Sequence, residues 1–155
     1  MLPLFKRTTI TGAGVYCDRD IQPGEKIADF TGQLIARAAL PNPYPAEKDY
    51  HLQIGPDLFL GPSGLVDDFF NHSCDPNAAV IINGNSARLT ALKLIAAGEE
   101  IVFDYAVTQR NFPCVITCAC SSPSCRSTIS NFADLPGELK RHYLELDIVP
   151  DYNRS

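Results

Sequence analysis

The chain of 155 residues has no run approaching 18 apolar residues, which excludes a helical membrane span, and its first twenty residues hold no apolar signal core. Nothing at its C-terminus resembles a lipidation box. The expectation is an intracellular protein, cytoplasmic or nuclear, with no secretion signal and no membrane partner. A basic excess is also missing: 13 Lys and Arg face 18 Asp and Glu, a formal net charge of −5. That balance disfavours direct nucleic-acid binding and welcomes a basic protein partner. Internal repeats and low-complexity tracts are absent, and one segment alone has a convincing helical pattern. With 12 Pro and 10 Gly, and 45% of residues hydrophobic, the chain reads as one β-rich, loop-rich domain with a real core.

Two stretches stand out against that background. Asn71-His72-Ser73-Cys74-Asp75-Pro76-Asn77 places amides, an imidazole, a hydroxyl, a thiol and a carboxylate directly after Phe69-Phe70. Such polar density beside an apolar pair is costly unless its groups are paired or bind something. Asp75-Pro76-Asn77 alone reads equally as a turn. The second stretch is the C-x-C-x4-C array of Cys118, Cys120 and Cys125. Six cysteines could make three disulfides in a secreted protein, yet four lie between Cys114 and Cys125. The one-residue spacer Cys118-x-Cys120 suits a shared metal better than two separate bridges. Cys17 reads as a small buried hydrophobe.

Apolar alternation and turn residues sketch the rest. Residues 4 to 11 form an edge strand that ends at Gly12-Ala13-Gly14. Val15 to Cys17 and Lys26 to Ile35 form a hairpin across Pro23-Gly24. Residues 36 to 49 hold a short helix and then a loop broken by Pro41, Pro43 and Pro45. Tyr50 to Ile54 and Leu58 to Leu60 are short strands. Ala78 to Ile82 and Arg88 to Ile95 form a hairpin through Asn83-Gly84-Asn85, and Glu100 to Tyr105 is a further strand. A helix begins near Asp134, with Leu135, Leu139, Tyr143 and Leu146 on one face and Pro136 in its first turn.

Taken in order, Asn-His-Ser-Cys-x-Pro-Asn at 71–77, Gly-Glu-Glu-Ile-x-Phe-Asp-Tyr at 98–105 and the C-x-C-x4-C array resemble the SET-domain protein lysine methyltransferases. The likeness is to compact members with a post-SET cysteine motif and no pre-SET cluster, and it covers about residues 5 to 130. It implies a mainly β, SET-domain (β-clip) fold of several small sheets with a knot-like crossing, short helices and a C-terminal helix. The units it implies are residues 1–112 for the catalytic domain, 113–130 for the zinc-binding post-SET segment and 131–155 for a C-terminal helix and tail.

The same resemblance implies S-adenosyl-L-methionine as cofactor, contacted by Gly14, Val15, Tyr16, Asn71, His72 and Tyr105, with Tyr105 as the catalytic tyrosine. Phe30 and Phe103 line the lysine channel, and Thr128, Ile129 and Phe132 complete its wall. Structural zinc is held by Cys74, Cys118, Cys120 and Cys125. Asp104 and Ser73 hold loops by hydrogen bonds, while His51 and His142, outside every motif, are structural or at the surface. Many relatives carry Tyr where Phe30 stands, and Arg shortly before the Asn-His pair where this chain has Asp67-Asp68. The implied activity is methylation of a lysine side-chain amine in a protein substrate, a histone tail being one candidate, carried to di- or trimethyllysine. The alternative is a catalytically silent SET-like module that contains zinc and binds a protein partner.

Overall fold

Short apolar runs give short strands, and these gather into small separate sheets. The computed structural model describes residues 2–9, 12–48 and 50–155. Strands β1 (Leu4–Thr9) and β2 (Gly12–Cys17) pair antiparallel, with Lys6 opposite Val15. Residues 10 and 11, the end of the expected edge strand, lie outside the described residues. The expected hairpin of Val15–Cys17 with Lys26–Ile35 does not form. β2 pairs with β1, whereas β3 (Lys26–Phe30) pairs with β9 (Ser86–Ala91), which in turn pairs with β8 (Ala78–Asn83). Pro23-Gly24 forms a local turn without reversing the chain, since Ile21 bridges Ile95 and Lys26 lies opposite Thr90, so β3 finds its partner more than fifty residues downstream. Such non-local pairing is invisible to turn signals.

The run from Lys26 to Ile35 is also broken. Gly32 sits at a φ of +103°, and a Cβ there would lie 2.8 Å from the Gly61 Cα, so only glycine fits. Beyond it β4 (Leu34–Ala36) leaves for another sheet with β5 (Leu52–Gly55) and β6 (Leu58–Leu60), in the order β4-β6-β5. Two single 3-10 turns, Arg37–Ala39 and Ala46–Lys48, fill the proline-broken stretch. The β8–β9 hairpin is as expected, with Asn83 opposite Ser86 and Gly84 at a φ of +58° in the turn.

β7 (Asn71–His72) and β10 (Val102–Phe103) pair in parallel, Asn71 opposite Val102 and His72 opposite Phe103. The expected strand from Glu100 to Tyr105 shrinks to β10 because Tyr105 opens a 3-10 turn to Val107. Asp104 caps that turn by accepting the Ala106 N–H at 3.1 Å. β11 (Ile116–Thr117) and β12 (Thr128–Ile129) close a small hairpin around the cysteine array.

One core, with Val15, Ile21, Leu89, Ile95 and Ile101 sealed from solvent, joins the sheets. Each such side chain contributes about 1.5–3 kcal/mol. A second core sits behind the turn that follows Tyr105. There Tyr143 of helix α1 (Gly137–Glu145) packs with Ala106, Val107, Phe132, Leu135, Ile148 and Val149. The helix stops at Glu145, which leaves Leu146 43% exposed instead of on the packed face. No helix among the described residues is long and apolar enough to cross a membrane.

Candidate active site

The β7–β10 pair sets Asn71 and His72 beside Val102 and Phe103, two residues before Tyr105, so the motifs at 71–77 and 98–105 meet in space. The Tyr105 ring lies between His72 and Phe103, at centroid distances of 5.4 and 4.8 Å. Its hydroxyl donates to the Phe70 carbonyl at 2.6 Å.

Tyr105 is placed where two cavities come together. One is a narrow cleft walled by Phe30, Phe70, Phe103 and Phe112, with Tyr105 among its lining residues. The other is a groove of about 760 Å³ lined by Gly12, Ala13, Asn71, His72, Glu100, Tyr105 and the segment from Ile116 to Ser121. Phe30 meets Phe70 and Phe103 edge to face, each at 5.9 Å, so the wall of the cleft is preorganised by aromatic packing.

His72 connects this site to the cysteines. Its Nδ1 accepts the Tyr105 backbone N–H at 3.1 Å, and its Nε2 lies 3.3 Å from the Cys74 sulfur. An acceptor at Nδ1 leaves the proton on Nε2, directed at sulfur. Asp104 Oδ1 is 3.5 Å from Nδ1, the spacing of an ion pair. Burial pushes the His72 pKa down to about 4, however, so the ring is neutral and no ion pair forms. Both ring nitrogens are thus committed inside the protein, which leaves the His72 backbone to face the groove.

The Asn71 side chain is committed as well. Its Nδ2 donates to the Ala13 carbonyl at 2.6 Å and to Glu100 Oε1 at 2.8 Å, tying β2 to the second motif. A Cβ at Gly14 would lie 2.4 Å from that same Glu100 oxygen, so a side chain there would displace Glu100 from Asn71. Gly12 and Ala13 line the groove, while Gly14, Val15 and Tyr16 lie further along β2. Val15 is sealed in the core and Tyr16 stacks on Phe5. Any ligand contact from Val15 would therefore come from its backbone.

The four sulfurs of Cys74, Cys118, Cys120 and Cys125 all lie within 4.8 Å of one another. Cys118 is 3.8 Å from Cys74 and 3.7 Å from Cys125. Tetrahedral zinc with Zn–S bonds of about 2.3 Å needs sulfurs about 3.8 Å apart. The donor set therefore fits such an ion in number, type and spacing. Burial pushes the Cys74 and Cys118 thiols up. Burial opposes ionisation of Cys120 too, but backbone N–H groups of Cys74 and Ser122 and the neighbouring thiols outweigh it and bring it down to about 6. Cys17 is buried in the main core, and Cys114 stands outside the cluster.

Other residues brace the site: Asp104 is expected to hold loops by hydrogen bonds, whereas nothing in the sequence marks Asp67, Asp68 or His51 as lining a cleft. Asp104, wholly buried, accepts from Arg126 Nη2 at 2.8 Å and from the Tyr143 hydroxyl at 2.8 Å. It thereby joins the turn after Tyr105 to the cysteine hairpin and to α1. Asp67 accepts from Thr31 and Ser63, and Asp68 from Ser63 and Gly64, so this acidic pair braces the rim of the cleft. His51, outside every motif, lines the cleft. None of the three expected channel-wall residues lines the cleft: Ile129 lines the groove, Phe132 is buried in the second core and Thr128 is exposed.

The family model described as SET domain matches residues 12–106, which contain both motifs and Tyr105. The chain belongs to the SET domain family. This SET domain is 32% identical over 139 residues to the variant-silencing SET domain-containing protein of Plasmodium falciparum, covering 78% of the chain and 5% of that protein. It is 33% identical over 138 residues to histone-lysine N-methyltransferase trithorax of Drosophila melanogaster, covering 80% of the chain and 4% of the relative. To the human histone-lysine N-methyltransferase, H3 lysine-36 specific, it is 31% identical over 135 residues, covering 77% and 5%. The chain thus spans a small fraction of the length of these relatives. Among solved structures, KRYPTONITE in complex with mCHH DNA, H3(1-15) peptide and SAH superposes with a TM-score of 0.67 at 20% identity, covering 84% of this SET domain and 30% of that chain. The shared fold is mainly β, with several small sheets and one helix near the C-terminus.

Proposed function

We propose that the chain is a protein-lysine N-methyltransferase that uses S-adenosyl-L-methionine, with a histone tail as the leading substrate and an intracellular, nuclear or cytoplasmic, place of action. The observation that carries this reading is the position of Tyr105, which lines both the large polar groove and the narrow aromatic cleft. The relatives named as histone-lysine methyltransferases, and the SAH and H3 peptide in the KRYPTONITE complex, support the same assignment. We assign residues 1–112 to catalysis, 113–130 to zinc binding and 131–155 to a supporting helix and tail.

When bound, the cofactor supplies an electrophilic sulfonium methyl group. The groove fits it: Gly12 and Ala13 offer backbone, Asn71 and His72 offer an edge held by fixed bonds, and Glu100 contributes negative charge. The cleft receives the lysine. An ordinary lysine has a pKa of about 10.4, so roughly one in a thousand is neutral near pH 7. Phe30, Phe70 and Phe103 give an apolar surround that favours the neutral amine and excludes water. Tyr105, held by the Phe70 carbonyl and packed against the main core, orients the amine at the boundary of the two cavities.

Mass spectrometry after incubation with the labelled cofactor and core histones tests the activity; no modified lysine in histones or in a host lysate sinks it. The expected product is di- or trimethyllysine, because Phe103 offers no hydroxyl to hold the amine or a water. Adding one, by Phe103→Tyr, is expected to shift products toward monomethyllysine. A wild-type enzyme that stops at one methyl removes this part of the reading.

The cysteine cluster is proposed to hold one structural zinc per chain, which ties the β11–β12 hairpin over the groove. Elemental analysis of protein purified without chelator is expected to find one zinc, and Cys120→Ser to lower the metal content and loosen the hairpin. Metal-free protein with an ordered hairpin argues against it.

A further inference from the structure

We infer that Gln109 is a substrate-recognition residue of the cleft, its carboxamide oxygen accepting an N–H from the lysine-bearing substrate. This rests on the methyltransferase reading above. Gln109 lines the cleft together with Tyr105 and Phe103 and is only 3% exposed. Its Oε1 is buried with no hydrogen-bond partner.

The other polar side chains of the cleft show the contrast. Asp67 and Asp68 take donors from Thr31, Ser63 and Gly64. The Gln53 carboxamide donates to carbonyls of Gly55, Pro56 and Arg110 and accepts the Arg110 N–H at 2.9 Å. Thr108 donates to the Tyr105 carbonyl. Among the described residues, the two other buried polar atoms without a partner, Thr90 Oγ1 and Arg126 Nη1, belong to residues that do not line the cleft.

Nor is the orphan oxygen a result of looseness. The Gln109 N–H donates to the Ala106 carbonyl at 3.2 Å, and its own carbonyl accepts from the Phe132 N–H at 3.0 Å and from Asn153 Nδ2 at 3.3 Å. The backbone is held from the turn after Tyr105, from the second core and from the C-terminal tail. A side-chain acceptor that is buried and unpaired, on a backbone fixed in this way, destabilises the protein until a donor arrives. A lysine amine, or the backbone N–H of the segment that carries it, brings such a donor, and the neutral amine has two.

This makes stability and substrate recognition move in opposite directions. In Gln109→Met, which keeps length and removes both amide atoms, KM for the protein substrate is expected to rise about ten-fold or more. The melting temperature is expected to stay level or rise, since an unsatisfied polar group has been replaced by an apolar one. S-adenosylhomocysteine affinity by calorimetry is expected to stay within about two-fold, and Gln109→Glu, which retains an acceptor oxygen, to keep KM within about three-fold of wild type. Comparing the unmethylated substrate with its monomethylated and dimethylated forms separates the sources: a Gln109→Met penalty that shrinks as N–H groups are lost identifies the amine, and a constant penalty the backbone. A wild-type KM in Gln109→Met, or a fall in its melting temperature, overturns the inference. Wild-type protein run in parallel keeps the cases apart. If it transfers no methyl group, the activity reading fails, and the melting temperature of Gln109→Met still judges the orphan acceptor: a lower value overturns it.

Discussion

Tyr105→Phe is expected to slow methyl transfer by about 100-fold or more and to leave S-adenosylhomocysteine affinity within about three-fold. The ring is retained, so packing against His72 and Phe103 survives, and the backbone N–H still reaches His72 Nδ1. What disappears is one hydroxyl and its 2.6 Å bond to the Phe70 carbonyl. That bond contributes about 0.5–1.5 kcal/mol to stability, a loss that a SET domain with two packed cores tolerates. The activity loss should therefore come without unfolding. Single-turnover rates at saturating cofactor, alongside a thermal melt, separate the two effects. Wild-type turnover in a folded variant would remove Tyr105 from catalysis.

The parts of the site that could be read in the sequence are those whose chemistry is local. Cys118, Cys120 and Cys125 are close in sequence, and their spacing already pointed to a metal; Cys74, which only the family resemblance implied as the fourth ligand, lies 3.8 Å from Cys118. The β8–β9 hairpin was readable because its turn and both strands are contiguous. The pairing of β3 with β9 was not, because it depends on which distant strand completes the buried face. The same holds for side-chain partners. Asn71 and His72 were readable as site residues, but their commitment to Ala13, Glu100, Tyr105 and Cys74 emerges only when β7 and β10 lie side by side. Gln109 sits in no motif, and its distinguishing property, a missing partner, is a property of packing alone.

Asp104→Ala is expected to destabilise the protein by about 3–5 kcal/mol, because it leaves a partly buried guanidinium without its carboxylate. Asp104 is bonded to three separate elements: the turn after Tyr105 through the Ala106 N–H, the cysteine hairpin through Arg126, and α1 through the Tyr143 hydroxyl. The Asp104 side chain has no exposed surface and that of Arg126 is 17% exposed, so the pair is not the solvent-screened kind that contributes little. Removing the carboxylate strands the Tyr143 hydroxyl in the second core as well. For a chain of this size the loss corresponds to a fall in melting temperature of roughly 10 °C. Tyr143→Phe removes one donor to the carboxylate and leaves the ion pair, so it should cost less, about 1.5–3 kcal/mol. The ordering of the two variants is the test of the hub. If Asp104→Ala melts within about 2 °C of wild type, the three elements are held together by their apolar contacts alone.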